Sequence, residues 1–315
     1  MIGEFELIDM IKAGINLPDG FVGIGDDCAH LPETEGLKTL VSTDMLLEGV
    51  HFLRGVKPEF TGWKAAVVNM SDIAACGGVP KGIFLSLAVP DNLEGGWVSA
   101  FIDGFKAACS RYSFPLLGGD TCESLTDICI SVSVLGACPI GKAVSRCGAV
   151  DGDEICVTGC LGDSAAGLEI LLNSKDSTDY DNPLILRHLK PVPRIEEGIL
   201  LAESRVVNAM MDISDGIGSD LRHILKESRC GAVVDVDRIP VSDALRAYCR
   251  NDFESMLDYA ISGGEDYELL FVKKAGANLC VPHTVIGKIT SGNSIVWKGS
   301  AKDYKGYNHF ADAKI

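Results

Sequence analysis

Residues 23–52 read GIGDDCAHLPETEGLKTLVSTDMLLEGVHF, and the rest of the chain is organised around this stretch. It places Asp26 and Asp27 in a glycine-flanked turn, after which a strand-like apolar run at 39–42 leads into Thr43 and Asp44. Further acidic residues at turns or strand ends recur along the chain at Asp72, Asp120, Asp212 and Asp215. Carboxylates gathered at one place repel each other, so they stay ionised only with cations among them. Oxygen ligands of this kind suit magnesium, particularly beside substrate phosphates. The pattern therefore predicts a magnesium-dependent phosphoryl-transfer enzyme.

The composition is compatible with two domains and strongly acidic. The chain has 315 residues, 47% of them hydrophobic, which is sufficient for two cores. Lys plus Arg is 28 and Asp plus Glu is 44, so the formal net charge is 28 − 44 = −16. This balance argues against binding of nucleic acid or an anionic membrane through the general surface. It leaves a phosphate ligand open, because bound magnesium reverses the local charge.

The first residues and the cysteines indicate a cytoplasmic protein. Residues 1–14, MIGEFELIDMIKAG, carry acids and predict an amphipathic helix rather than a signal peptide. No apolar run approaches the roughly 18 residues of a membrane span. The twelve cysteines form no CxxC pair, and several lie in apolar runs. Buried, reduced thiols are therefore favoured over disulfides.

Hydrophobic periodicity predicts a mixed α/β chain with a domain boundary near its middle. The first part is predicted to contain helices at 59–76 and 95–111 and strands at 83–89 and 127–137. A linker at 140–153 then divides domain 1–145 from domain 146–315. The second part is predicted to contain strands at 154–158, 209–212, 232–236 and 269–272, helices at 164–173, 194–204, 217–228, 241–249 and 253–260, and two short closing strands.

Two glycine-containing motifs resemble phosphate-binding loops. Gly118, Gly119 and Asp120 follow a short apolar run, so backbone N–H groups are able to approach a phosphate there, although Gly-Gly-Asp is also an ordinary turn. The stretch 136–143 nearly fits GxxxxGK[ST]. Ala143 lacks the hydroxyl that would bind magnesium, and Pro139 removes an N–H, so this is not a P-loop.

Several polar residues have both a structural and a functional interpretation. By position alone, Asp163 and Asp215 are predicted to cap the helices that follow them. Asp72 lies in an apolar helical segment, which favours a ligand role over a surface role, and Asp212 has no capping role. His51 either packs in its loop or binds the acceptor phosphate. An extended connector at 188–194 is predicted, and phosphate contacts or a solvated basic face remain alternatives for Arg146, Arg187, Lys190 and Arg194.

The motifs together resemble the thiamine-monophosphate kinase family, in the superfamily of aminoimidazole ribonucleotide synthetase and selenophosphate synthetase. The resemblance extends over nearly the whole chain, and its order and spacing are specific. It rests on GIGDDCA (23–29), STDMLLEGVHF (42–52), NMSDIAACGGVP (69–80), GGDT (118–121), TGCLGDSAAGL (158–168), RHLKPVPR (187–194), MDISDG (211–216), SGGEDYELLF (262–271) and the GYNHF tail at 306–310.

The resemblance implies a two-domain α/β fold, with an N-terminal sheet that pairs across a homodimer and an active site between the domains. It implies transfer of phosphate from ATP to thiamine monophosphate, giving thiamine diphosphate. The implied magnesium ligands are Asp27, Ser42, Thr43, Asp44, Asp72, Asp120, Asp212 and Asp215. The implied ATP contacts are Gly119, Asp120, Arg146 and Ser214, and the implied contacts to thiamine monophosphate are His51, Glu265 and Tyr307.

Two departures from the family pattern concern ring recognition. Tyr307 stands where some relatives carry Trp, and near 97–105 Phe101 and Phe105 are possible aromatic contacts to adenine, whose recognition stays open. The alternatives are another ATP-dependent enzyme of the superfamily, which would activate an amide oxygen or selenide, or a non-catalytic thiamine-phosphate or metal-binding protein. A selenophosphate synthetase is expected to carry a reactive Cys before a Gly-rich stretch, whereas Cys28 follows the Asp pair.

Overall fold

The fold is taken from a computed structural model of the chain. It describes residues 19–20, 22, 25–32, 34–93, 95–174 and 179–307. The amphipathic helix predicted at 1–14 lies outside the described residues. None of the helices in the described part has the length and apolar character needed to cross a membrane.

The first half of the described chain forms a five-stranded sheet with spatial order β1-β2-β5-β3-β4. Its strands are β1 (Ala29–His30), β2 (Leu37–Leu47), β3 (Val79–Val89), β4 (Leu116–Glu123) and β5 (Cys129–Pro139). All neighbours are antiparallel except β3 and β4, which are parallel. Because side chains alternate along a strand, β2 turns Leu40 and Leu46 into the core and Met45 and Leu47 outward.

One face of this sheet is covered by helices α1 (Pro58–Ala75) and α2 (Trp97–Arg111). The two helices approach each other closely at Gly62 and Gly104. A Cβ on Gly62 would lie 2.0 Å from the Phe101 carbonyl oxygen, and one on Gly104 would lie 2.0 Å from that of Glu59. Only glycine therefore permits this crossing.

The second half forms a six-stranded sheet with spatial order β11-β8-β10-β6-β9-β7. Its strands are β6 (Glu154–Val157), β7 (Val207–Asp212), β8 (Gly231–Asp235), β9 (Leu269–Lys273), β10 (Thr284–Thr290) and β11 (Ile295–Lys298). Its helices are α3 (Asp163–Asn173), α4 (Pro183–Leu189), α5 (Ile195–Ser204), α6 (Ile217–Ser228), α7 (Asp243–Tyr248) and α8 (Phe253–Leu257). A 3₁₀ turn covers Val236–Arg238, and a π turn covers Asp258–Ser262.

Helix α1 joins the two halves. It is buried on nearly all sides, because it packs on the first sheet and α2 and also against α4, α5 and β7 of the second half. The strands of the first sheet end at Pro139, and those of the second begin at Glu154. The boundary predicted between residues 145 and 146 falls in this connection and stays a prediction.

The structure confirms the predicted two-sheet α/β fold and the long helices at 59–76, 95–111 and 217–228, and it corrects three local predictions. The extended connector is wrong at its start, since His188 lies in α4. The Gly-Gly-Asp sequence is part of strand β4, not a turn. The N-cap of α3 is Gly162, and Asp163 makes no capping bond. All twelve cysteines lie in the described part and carry free thiols.

Candidate active site

A cavity of about 810 Å³ lies between the two halves of the chain and collects most of the candidate site residues. Strand β2 and helix α1 line it from the first half, and the loops after β7 and before β9 line it from the second. Of the fourteen different residues implied above, twelve line this cavity: Asp27, Ser42, Thr43, Asp44, His51, Asp72, Arg146, Asp212, Ser214, Asp215, Glu265 and Tyr307.

Three carboxylates converge on one point of the cavity. One oxygen each from Asp27, Asp72 and Asp212 lies within 4.8 Å of the other two. They arrive from a turn, from helix α1 and from the end of β7, so only the packing of the two halves brings them together. The Ser42 hydroxyl donates to Asp72 Oδ2 at 2.5 Å and orients that carboxylate.

Burial and mutual repulsion disfavour the ionised form of the clustered carboxylates when no cation is bound. Burial first, then the charges of Asp44, Asp212 and Asp27, raises the pKa of Asp72 well above its ordinary value. The pKa of Asp212 is raised to about 7, mainly by burial and then by Asp27, and burial raises the pKa of Asp44 to about 6. An all-oxygen donor set of this charge fits magnesium, which would remove the repulsion that raises these pKa values.

Arg146 supplies part of the missing positive charge. Its Nη2 donates to Asp27 Oδ1 at 2.8 Å and its Nε to Asp27 Oδ2 at 3.3 Å. Its backbone N–H donates to Asp26 Oδ1 at 3.2 Å. The adjacent acids are therefore separated in function, since Asp27 lines the cavity and Asp26 holds the Arg146 backbone.

Strand alternation separates the two hydroxyl residues that precede Asp44. Ser42 points inward to Asp72, whereas the Thr43 hydroxyl donates to the Val132 carbonyl oxygen at 3.0 Å and lies 2.9 Å from Ser133 Oγ. The Thr43 side chain is thus directed to the outer face of the sheet. Thr43 nevertheless contributes to the cavity wall.

His51 is held in one orientation by the loop that follows β2. Its Nδ1 accepts the backbone N–H of Leu47 at 3.0 Å. We assign the ring proton to Nε2 on this basis, which makes the Nε2 edge of the ring a hydrogen-bond donor. The loop is braced by Glu48, which pairs with Arg54 at 2.5 Å and accepts the backbone N–H of Ile128 at 3.0 Å.

The segment 262–268 presents Glu265 to the cavity through an unusual backbone. Glu265 and Tyr267 have φ values of 64° and 50°, in the left-handed region that non-glycine residues rarely adopt. Their N–H groups donate to the carbonyl oxygens of Ser214 at 2.7 Å and Ile213 at 2.9 Å, which fixes the segment beside the end of β7. The intervening Asp266 is buried and accepts the N–H of Gly162 at 2.8 Å. Asp266 thus supplies the cap of α3 from a distant part of the chain.

Asp215 lines the cavity instead of capping α6. The N-cap of α6 is Gly216, without a side-chain capping bond, so the capping prediction for Asp215 is wrong. The Asp215 N–H donates to Asp220 Oδ2 at 3.2 Å, and its carbonyl oxygen accepts the N–H of Tyr307 at 2.9 Å. The C-terminal segment therefore meets the site at Asp215.

Comparison with known proteins gives a consistent assignment. Residues 25–138 match the AIR synthase related protein N-terminal domain, and residues 150–298 match its C-terminal domain. The thiamine-monophosphate kinases of Aquifex aeolicus and Escherichia coli K12 are 40% and 41% identical to the chain, over 98% of both partners. The chain belongs to the thiamine-monophosphate kinase family.

Solved structures agree with this family assignment. AaThiL complexed with AMPPCP and TMP is 40% identical, with a TM-score of 0.89, over 98% of this chain and 97% of the other. The E. coli hydrogenase maturation protein HypE is 18% identical, with a TM-score of 0.64, over 87% of this chain and 85% of the other, and shows only a shared fold.

Two residues implied by resemblance to the thiamine-monophosphate kinase family, Gly119 and Asp120, do not line the cavity. They lie on the edge strand β4 and are exposed. Gly119 packs against β3 so closely that a Cβ would lie 1.6 Å from the Leu85 carbonyl oxygen, which explains the glycine. Their position across the sheet separates them from the carboxylate cluster.

The other basic residues that the sequence offered as phosphate contacts are bound to side chains of the protein. Arg187 and Arg194 each pair with Glu268 at 2.5 Å, and the ammonium of Lys190 lies 4.5 Å from the Trp63 ring centroid. Of the four basic candidates, only Arg146 lines the cavity. Phe101 and Phe105 are fully buried in the first core, so neither is available to stack on adenine.

Four titratable residues in or beside the cavity were not among the site residues predicted from the sequence. His188, His223 and Tyr267 line the cavity, and Lys64 contacts both His51 and Glu265. A signal existed for Lys64, because it is the only charged residue between Glu59 and Asp72 in an otherwise largely apolar helix. No local pattern distinguishes the other three.

Proposed function

We propose that the chain phosphorylates thiamine monophosphate with ATP, by direct in-line transfer assisted by several magnesium ions. The observation that carries this proposal is the convergence of Asp27, Asp72 and Asp212 in a cavity that also holds His51 and Glu265. It is supported by the relationship to AaThiL, whose solved complex holds AMPPCP and TMP.

The acceptor needs positioning rather than activation. The second pKa of a phosphate monoester is about 6, so its oxygen is largely ionised near neutral pH and a general base is unnecessary. Magnesium bound by the carboxylates would supply charge neutralisation between two polyanions. This accounts for a site with clustered Asp residues in which we assign no catalytic nucleophile.

Each side of the cavity has a distinct role in this proposal. Asp27, Asp44, Asp72, Asp212 and Asp215 would hold the metal ions, with Ser42 and Thr43 assisting. Arg146 and Ser214 would contact ATP. His51 would donate its Nε2 proton to the acceptor phosphate, while Glu265 and Tyr307 would bind the thiamine portion.

The proposed enzyme is a homodimer that pairs through the outer face of the first sheet. That face exposes Met45, Phe84 and Leu117, which are 57%, 39% and 51% exposed, and β4 forms its open edge. An apolar sheet face with an unpaired edge is usually covered, and the family resemblance points to a second copy of the chain. Gly119 and Asp120 lie on β4, so a partner subunit in this position would bring them to the opposite site.

The last two parts of the proposal concern the roles of the two domains and the location of the protein. Domain 1–145 would bind ATP and magnesium and form the dimer, and domain 146–315 would complete the cleft. A cytoplasmic location stays a prediction of the sequence.

The direct test is incubation of the purified chain with ATP, magnesium and thiamine monophosphate. We expect ADP and thiamine diphosphate in equal amounts. Asp44→Asn and Asp212→Asn should each lower kcat by about a hundredfold or more, because each removes a formal charge from a metal ligand. Asp243→Asn, at an exposed helix start, is the matched control. Turnover within a few fold of wild type in both cluster variants would contradict the metal assignment.

A further inference from the structure

Lys64 is a buried cation that lies outside the main cavity and contacts one residue on each side of it. It lies on α1 and is only 2% exposed. Its Nζ donates to Glu265 Oε1 at 2.7 Å and to the His51 carbonyl oxygen at 3.0 Å. The lysine does not line the main cavity, and it borders a smaller one beside His51 and His188.

The second oxygen of Glu265 is held by His188. His188 Nδ1 lies 3.2 Å from Glu265 Oε2 and 3.1 Å from Ser164 Oγ. Burial lowers the pKa of His188 to about 3, so the ring is neutral at physiological pH. We assign a proton to Nδ1, because an unprotonated Nδ1 would face the carboxylate without a hydrogen between them. Both Glu265 oxygens are thus bound by side chains of other elements.

A lysine at this position costs folding free energy, because its charge is removed from water. It follows Trp63 and precedes Ala65 and Ala66 in a helix buried on nearly all sides, where an apolar residue of similar length would pack without desolvating a charge. Its two partners lie in loops of different halves of the chain, and each partner residue lines the cavity. The Lys64 charge therefore fixes the position of the His51 loop relative to the Glu265 loop.

We infer that Lys64 is a positioning residue for the acceptor site, which sets the separation of His51 and Glu265 and so determines affinity for thiamine monophosphate. This inference rests on the proposed function, which gives both residues contacts to the acceptor. Lys64 does not itself touch the substrate. Its effect should appear in acceptor binding, because the carboxylate cluster is held by other contacts.

The experiment compares Lys64→Met, Lys64→Arg and the control Lys106→Met, which alters an exposed lysine on α2. We expect Lys64→Met to raise KM for thiamine monophosphate about tenfold or more, with kcat and KM for ATP within about threefold of wild type. Lys64→Arg should recover part of the loss, because it restores the charge. An unchanged KM for the acceptor, or an equal rise in both KM values, would overturn the inference.

A double-mutant cycle with Glu265→Gln identifies the route of the effect. If Lys64 acts through Glu265, the Lys64→Met/Glu265→Gln protein should bind the acceptor no worse than the poorer single variant. Multiplied effects would show that Lys64 acts independently of Glu265 and would overturn the inference. Should Lys64→Met not fold, Lys64→Gln in the same cycle provides the measurement. An inactive wild-type enzyme would refute the proposed function instead, so the two failures are distinguishable.

Discussion

Asp44 and Gly119 lie in the same row of the first sheet, three strands apart. Asp44 pairs with Val132, Val132 with Leu85, and Leu85 with Gly119. At about 4.8 Å per strand, their backbones are roughly 14 Å apart across the sheet. This distance exceeds the reach of a shared metal ion, so strand β4 at Gly119 and Asp120 does not complete the carboxylate cluster of its own chain. In the proposed dimer, this strand would instead contribute to the cluster of the partner.

Mixing two inactive variants should restore activity if the proposed dimer is correct. In a dimer of one Asp44→Asn chain and one Asp120→Asn chain, one site has both substitutions and the other has neither. Random re-pairing at equal amounts gives half hybrid dimers, each with one intact site. The mixture should therefore recover about a quarter of the wild-type turnover, by the symmetry of a two-fold dimer. Activity is measured after subunit exchange and compared with that of each variant alone. A mixture as inactive as its parents would show that Asp120 acts within its own subunit.

Magnesium should stabilise the protein more at pH 8 than at pH 5. Because the folded-state pKa values of Asp44 and Asp212 are raised to about 6 and about 7, the native state binds more protons than the unfolded chain above roughly pH 4. The free energy of unfolding of the metal-free protein should therefore fall as pH rises from roughly 4 to 7. Magnesium should offset this loss.

Asp212→Asn tests the same effect by removing one charge. We expect it to raise the metal-free free energy of unfolding at pH 8 by an amount on the order of a few kcal/mol, since the pKa of Asp212 is raised to about 7 and one pKa unit corresponds to about 1.4 kcal/mol. The gain should vanish at pH 5, where the wild-type side chain is largely protonated. Urea unfolding in chelator at both pH values provides the measurement. Equal stability of variant and wild type at pH 8 would argue that burial and the neighbouring acids do not destabilise the Asp212 carboxylate.

His51 should contribute a hydrogen-bond donor to the binding of thiamine monophosphate. Its Nδ1 is occupied by the Leu47 N–H, so protonation of the ring would break that bond. His51→Ala should raise KM for thiamine monophosphate about tenfold or more, the usual effect of losing a hydrogen bond to a charged group. His51→Gln should be milder, since its amide N–H extends to a similar position. An unchanged KM for thiamine monophosphate in His51→Ala would contradict this contact.

Glu268 should be the most stability-critical acid of the second half. Its buried carboxylate pairs with Arg187 and Arg194 at 2.5 Å and accepts the Thr158 hydroxyl at 2.6 Å. Glu268→Gln would remove the counter-charge of Arg187 and leave Arg194 with its longer pair to Glu197, and it should cost about 3–5 kcal/mol. Asp303→Asn breaks the exposed pair with Arg222 and should cost less than about 1 kcal/mol. Urea unfolding of both variants checks the contrast, which equal losses would contradict.

Sequence periodicity was a good guide to elements and a poor guide to their ends. The helix at 59–76 and the alternating strand at 127–137 were predictable because their patterns repeat locally. The capping role expected of Asp163 was wrong because a distant residue, Asp266, supplies the acceptor for Gly162 N–H. Such competition between local and distant partners has no signature in the few residues around a helix start.

The sequence by itself determined the order of the elements, the two-part organisation and the acidic motifs, because each of these depends on residues close together in the chain. Only the tertiary structure decided which acids meet, that Asp27 enters the cavity while Asp26 holds Arg146, and that Lys64 bridges His51 and Glu265. These contacts join residues far apart in the chain, and their geometry is fixed by how helix α1 packs between the two sheets.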